Sequence, residues 1–175
     1  PLSLNTCYAF KLKGFIFFAM DGAIDTENTS KGYFSPECLG FLDSQLGANP
    51  KAPAVIFQHF PLVYPIKSPS HEVKNQAEYF AILDRHPNAK AVFSGHYHIS
   101  KIKTRNGVLH VSTPSLIQCP DAFRVVRMEN TQSGVKVEIH TVETRLKDVQ
   151  SGSCGPSRDL HSGQVGDRDY SGMIK

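Results

Sequence analysis

The sequence predicts an α/β (mixed α+β) fold built on a sheet with parallel and antiparallel parts, and three observations carry that reading. Continuous apolar runs at residues 15–20, 54–57 and 91–93 suit strands buried on both faces. Segments with helical character fall before and after the second run, at residues 36–46 and 73–85. Beyond residue 100 the pattern changes to short runs separated by turn residues, as antiparallel hairpins require.

Taken in order, residues 7–11 pair with 15–20 through the turn at Lys13-Gly14, and a polar loop spans 25–33. Ser35-Pro36-Glu37 makes a helix start, with a hydroxyl N-cap, proline at the first helical position and a carboxylate near the positive end of the dipole. Leu39, Leu42 and Leu46 form its apolar stripe, and Gly47 suits the residue just past the end. The run 54–57 gives way to Gln58-His59-Phe60-Pro61, and a proline-punctuated loop continues to His71. A second helix over 73–85 buries Ala77, Phe80, Ala81 and Leu83 or their neighbours and stops before Pro87. With the strand at 91–93 it completes a βαβ unit, which favours a parallel pair and a right-handed crossover. Residues 101–105 and 108–112 flank Asn106-Gly107, whose tolerance of positive φ marks a hairpin turn. Residues 123–128 and 135–139 form a further antiparallel pair. From residue 150 onward Ser, Gly, Asp and Arg dominate without periodicity, so the chain reads as a domain over 1–149 and a polar, disordered tail over 150–175.

The 175 residues carry a formal net charge of +3, with Lys and Arg dispersed. That gives little electrostatic case for nucleic acid or a membrane as main partner and leaves room for a modest attraction to phosphate-bearing molecules. No apolar stretch is long enough to span a bilayer, and the composition is that of an ordinary soluble globular protein. Cys7, Cys38, Cys119 and Cys154 are scattered without a Cys-x-x-Cys and read as free buried thiols.

Chemistry concentrates where the apolar runs stop. His59 follows the second run, and Gly95-His96-Tyr97-His98 follows the third. In sheets flanked by helices, ligands bind beyond the carboxyl ends of the strands. In extended backbone His96 and His98 share one side, with Cα atoms about 6.5–7 Å apart, so each could reach a different ion of a pair held about 3.5–4 Å apart. Gly95 would let the backbone turn beside them. Tyr97 points away on the same reasoning and reads as packing. His71, in the loop beside the motif, is the one substrate-contact candidate. His86, His110, His140 and His161 read as surface, tail or packed residues, and Gly166-Asp167 as a coincidental match to a metal motif.

These motifs resemble the calcineurin-like metallophosphoesterases, in which a late strand ends in His, often followed by Pro, and the next carries Gly-His-x-His. The likeness runs from about residue 8 to 143. Its hairpin includes Tyr8-Ala9-Phe10 and a segment from Gly14 to Gly22, with Asp21 at a position commonly Asp. The resemblance implies that His59 and His96 bind one metal and His98 the other, in a site with two divalent or trivalent ions (Mn, Fe or Zn). The family's Asp-x-His, Gly-Asp-x-x-Asp and Gly-Asn-His motifs are absent, so the sequence reads as the C-terminal portion of the domain: a partial metallophosphoesterase-type β-sandwich flanked by helices. The function it implies is metal-dependent hydrolysis of a small-molecule phosphodiester or phosphomonoester, with no catalytic residue assigned in this chain. Two alternatives stay open: a mononuclear zinc site of three His, and a non-catalytic binding domain on the same fold. Natural substrate, oligomeric state and compartment stay open as well. Because protonated imidazole is a poor ligand, metal occupancy should fall below about pH 6.5. Without its first strands the chain should be marginal or aggregation-prone.

Overall fold

A computed structural model describes residues 2–4, 6–118, 120–144 and 157–175. Its framework is a seven-stranded sheet with a three-stranded sheet on one face and two helices on the other. The large sheet contains β1 (Leu2–Leu4), β2 (Cys7–Leu12), β3 (Phe15–Met20), β4 (Ala54–Gln58), β5 (Ala89–Ser94), β6 (Lys101–Arg105) and β7 (Val108–Ser112), in the order β1-β2-β3-β4-β5-β7-β6. Its four middle strands, β3, β4, β5 and β7, are mutually parallel, and the outer pairs are antiparallel. This is the mixed sheet the apolar runs predict. The parallel strands are the ones with continuous apolar sequence because the helices cover one of their faces and the second sheet covers part of the other.

Helix α1 (Pro36–Ala48) and helix α2 (Gln76–Arg85) cover one face. Ser35 caps α1 by accepting a hydrogen bond from Cys38 N at 3.2 Å, as its sequence predicts. The helix ends two residues later than Gly47 suggests, at Ala48: Asn49 is the C-cap and its N–H returns to Leu46 O. Helix α2 is shorter than predicted. Residues 73–75 are held outside it, since Asn75 spends its amide on both polar atoms of the Phe34 backbone instead of capping. Of the residues predicted to face inward, Leu83 is buried and Phe80 half-buried, while Ala77 and Ala81 face solvent and their neighbours Tyr79 and Ile82 are buried instead. Leu39, Leu42, Leu46, Tyr79 and Leu83 pack on Ile16, Phe18 and Ile56 to form the helix-side core.

The second sheet consists of β8 (Ala122–Thr131), β9 (Gly134–Glu143) and β10 (Tyr170–Ile174), ordered β10-β9-β8. Val135, Val137 and Ile139 of β9 meet Val55, Ala91, Phe93, Leu109 and Val111 in a second core between the sheets. The expected disordered tail is not what residues 157–175 form. They contain α3 (Ser157–Ser162), α4 (Val165–Arg168) and β10, whose five residues pair antiparallel with β9 from Tyr170↔Ile139 to Ile174↔Val135. Tertiary pairing orders a segment with no period of its own. Residues 150–156 of that predicted tail lie outside the described residues.

Cysteine usage also departs from expectation. Cys7, at the start of β2, and Cys38, in the first turns of α1, are joined in a disulfide, which ties the sheet to the helix. Cys119 and Cys154 lie outside the described residues. No described helix is long and apolar enough to cross a membrane.

Candidate metal centre

The carboxyl ends of β3, β4, β5 and β7 lie side by side, because all four strands run in one direction. Asp21, His59, the Gly95–His98 segment and Thr113 leave these ends in turn. The backbone N–H of Gly95 donates to the carbonyl of His59 at 3.0 Å, so the two histidine motifs are stitched together just past their strands. The placement expected from the sequence is therefore met.

His59 and His96 meet directly. Nε2 of His59 and Nδ1 of His96 are 3.1 Å apart, with ring centroids at 4.9 Å. The phenyl ring of Phe60 lies against both, 5.0 Å from His59 and 4.7 Å from His96. Two glycines make room for it: a Cβ on Gly32 would fall 2.5 Å from the Phe60 ring, and one on Gly22 would fall 3.0 Å from it. Phe60 thus removes water from one side of the imidazoles. Burial, with His59 and His71 nearby, pushes the His96 pKa down to about 4, and burial with the His98 ring nearby lowers that of His59. Both rings are held neutral at physiological pH, the state in which imidazole donates a lone pair to a metal.

The segment that carries His96 and His98 is not extended. His96 has φ 67° and His98 φ 56°, both left-handed, and the N–H of Tyr97 turns back onto Gly95 O at 2.8 Å. The alternation argument for a shared face therefore does not describe this loop. Gly95 is not the residue that turns it, and a Cβ there would meet only His59 Nδ1 at 3.9 Å. Left-handed backbone at two non-glycine residues is uncommon and clusters at functional sites. Tyr97 is packed, as predicted: it is buried, 6.1 Å from the Tyr64 ring.

His98 faces Gln118, whose side-chain oxygen lies in hydrogen-bond contact with its Nδ1. Among the described residues, no group of three His, Cys, Asp or Glu stands close enough to hold one ion. The site therefore presents His59 and His96 as a pair and His98 beside them. His71 stands at the other flank, its ring tilted against that of His96 at 5.0 Å, with its Nδ1 at 2.9 Å from Ser68 Oγ and 2.8 Å from Ser70 Oγ. The sequence assigns no site role to Phe60, Gln118 or the two serines, because nothing in their spacing distinguishes them from loop residues.

The pair fits one metal ion. Imidazole nitrogens bind zinc at about 2.0–2.1 Å, so two of them at tetrahedral or right angles stand roughly 2.9–3.4 Å apart. The observed 3.1 Å falls in that interval. In addition, Nε2 of His96 is buried without a partner among the described residues.

No protein-family model matches the chain. A dimetal phosphatase from Danio rerio shares its architecture with a TM-score of 0.67 at 14% identity, over 97% of this chain and 60% of that one. The chain has the dimetal-phosphatase fold. The same fold is shared at a TM-score of 0.55 and 13% identity with GAP50, the anchor in the inner membrane complex of Plasmodium, over 97% of this chain and 53% of that one. In sequence, 89 residues are 35% identical to a 3′,5′-cyclic-nucleotide phosphodiesterase from Nostoc sp., a stretch covering 48% of this chain and 32% of that protein. The chain thus spans about a third of the curated relative's length. The resemblance to calcineurin-like metallophosphoesterases, read from His59 and the Gly-His-x-His motif, agrees with these relatives.

Proposed function

We propose that this chain contributes His59, His96 and His98 to a two-metal site that hydrolyses phosphoesters, and that the complete site includes ligands beyond these three. The observation that carries the reading is the contact of His59 Nε2 with His96 Nδ1 at the carboxyl ends of adjacent parallel strands, at a separation suited to two ligands of one ion. His98 is assigned to the second ion by resemblance to the family. Bound ions would supply Lewis-acid polarisation of the phosphoryl group and activation of water. Imidazole ligands suit Zn and Fe, and with added carboxylates also Mn. This chain's own residues supply the rest: Phe60 shields the ligand pair from water, and His71, steadied by Ser68 and Ser70, stands where it could donate to a phosphoryl oxygen. A phosphodiester is the favoured substrate class, supported by the cyclic-nucleotide phosphodiesterase relative.

The test is a titration of the full chain with Mn²⁺, followed by NMR of the histidine rings, alongside hydrolysis of bis-p-nitrophenyl phosphate. The rings of His59, His96 and His98 should broaden before those of His86 and His140, which lie away from the site. His59→Ala and His96→Ala should weaken the same ion, and His98→Ala the other. Broadening that shows no preference for the three would overturn the assignment.

A second reading is a non-catalytic binding domain, favoured by the shared fold of GAP50, an anchor in the inner membrane complex of Plasmodium. Selective metal binding without turnover would select it.

A further inference from the structure

The segment after residue 156 reaches back to the loop that carries His98. Nδ1 of His161 lies 3.1 Å from the carbonyl oxygen of His98, and the N–H of Ser100 donates to the carbonyl of His161 at 2.8 Å. A carbonyl can only accept, so the first contact requires a proton on Nδ1 of His161 and fixes its tautomer. Together the two bonds bracket residues 98–100 from outside. His98 needs such a bracket, because φ 56° is a conformation that a non-glycine residue holds only when its surroundings impose it.

The bracket has firm support. Gly163, at φ 68°, comes so near Ser100 that a Cβ there would fall 2.4 Å from the Ser100 carbonyl oxygen. Asp167 takes hydrogen bonds from Lys101 Nζ at 2.9 Å, Ile102 N at 3.3 Å and Gln164 N at 3.2 Å. Arg124 of β8 donates to the carbonyls of Asp167 at 2.7 Å and Arg168 at 2.6 Å. These contacts and the pairing of β10 anchor the segment independently of His161, whose own side chain is spent on one carbonyl beside the metal site.

We infer that His161 is a positioning residue: its imidazole holds the His98 backbone in the left-handed turn and so sets where the His98 ring stands in the metal centre. The inference rests on reading His98 as a ligand. Its test compares the full chain with His161→Leu, which removes the donor, and His161→Asn, whose amide N–H can replace it. In Mn²⁺ titrations followed by NMR, His161→Leu should weaken the response of the His98 ring about 10–100-fold, the range for residues that orient ligands, while His59 and His96 change less than about twofold. His161→Asn should restore His98 to within about threefold of the unaltered chain. An unchanged His98 in the leucine variant would overturn the inference, and so would an equal loss at all three histidines.

Failure of the metal reading is separable. If the unaltered chain shows no selective response to Mn²⁺, metal-free spectra decide: the His98 ring and the amides of residues 98–100 must shift in His161→Leu and not in His161→Asn. If His161→Leu does not fold, the tautomer of His161 in the unaltered chain, read from its ring nitrogen shifts, decides, because the bond to the His98 carbonyl requires the proton on Nδ1. A neutral ring protonated on Nε2 would overturn the proposal.

Discussion

His96 and His110 are both pushed down to about 4, and the cause is first of all burial in each case. At His96 the neutral ring is what a metal site uses. The sequence alone places loss of metal at about pH 6.5, the ordinary imidazole value. The depressed values of His96 and His59 mean that protons compete for these nitrogens only at lower pH. Occupancy of the ion proposed for this pair should therefore persist below about pH 6.5, with His96 protonating only toward about pH 4, which a Mn²⁺ titration at stepped pH would read. A midpoint near 6.5 would show that the rings are solvated in solution. At His110 the same chemistry has no evident use. It is 5% exposed within β7, neither ring nitrogen has a partner among the described residues, and its ring lies against Phe80. Its neutral form is favoured in the folded state, so its contribution to stability is present above about pH 6.5 and is lost as pH falls toward 4. His110→Phe should remove that part of the acid sensitivity. It should also stabilise the protein at neutral pH by about 1–3 kcal/mol, because two unsatisfied polar atoms are replaced by apolar ones. Thermal denaturation at pH 7 and pH 5 would check both effects.

At the level of elements, what could be read from the sequence is what local chemistry dictates. The hairpin at Asn106-Gly107 forms over the predicted residues, because Asn106 and Gly107 adopt the positive φ values their types tolerate. The cap at Ser35 and the parallel pair β4-β5 were legible for similar reasons. The placement of His59 and His96 was legible too, since an apolar run that stops at a histidine fixes where that histidine sits. What escaped depends on partners distant in sequence. β10 exists because β9 offers it an edge, and Asp167 is buried by Lys101 and Arg124 rather than by any pattern around it. The disulfide is of this kind as well: Cys7 and Cys38 are 31 residues apart, and only the packing of α1 against β2 brings them together. Closing a loop of that length should stabilise the fold by about 3–4 kcal/mol in the chain-entropy model. Cys7→Ser/Cys38→Ser, or treatment with a thiol reductant, should lower the urea midpoint accordingly, with the midpoint of an alkylated sample as the control.

For the whole molecule, the two sheets do not cover each other fully. Phe10, Phe17, Phe57 and Phe93 form a ladder across β2, β3, β4 and β5, with successive ring centroids 5.2, 6.3 and 5.5 Å apart. The β5 end of that ladder is roofed by β8 and β9. The other end is open: Phe10 is 41% exposed, Phe57 46%, and Leu12 beside them 54%. An apolar cleft of about 230 Å³ runs under the rim of β8 between Phe17, Phe57, Val126 and Met128. Among the described residues the second sheet ends at β8, and no described strand pairs with the edge it presents next to the exposed rings. An apolar face beside an open edge favours self-association. Phe10→Thr/Leu12→Thr removes exposed apolar surface from β2, and it leaves β4, β5 and the histidines untouched. The substituted chain should bind less 8-anilinonaphthalene-1-sulfonate and remain monomeric at concentrations where the unaltered chain associates, as read by sedimentation velocity. Equal dye binding and equal association in both chains would show that the ladder is covered in solution.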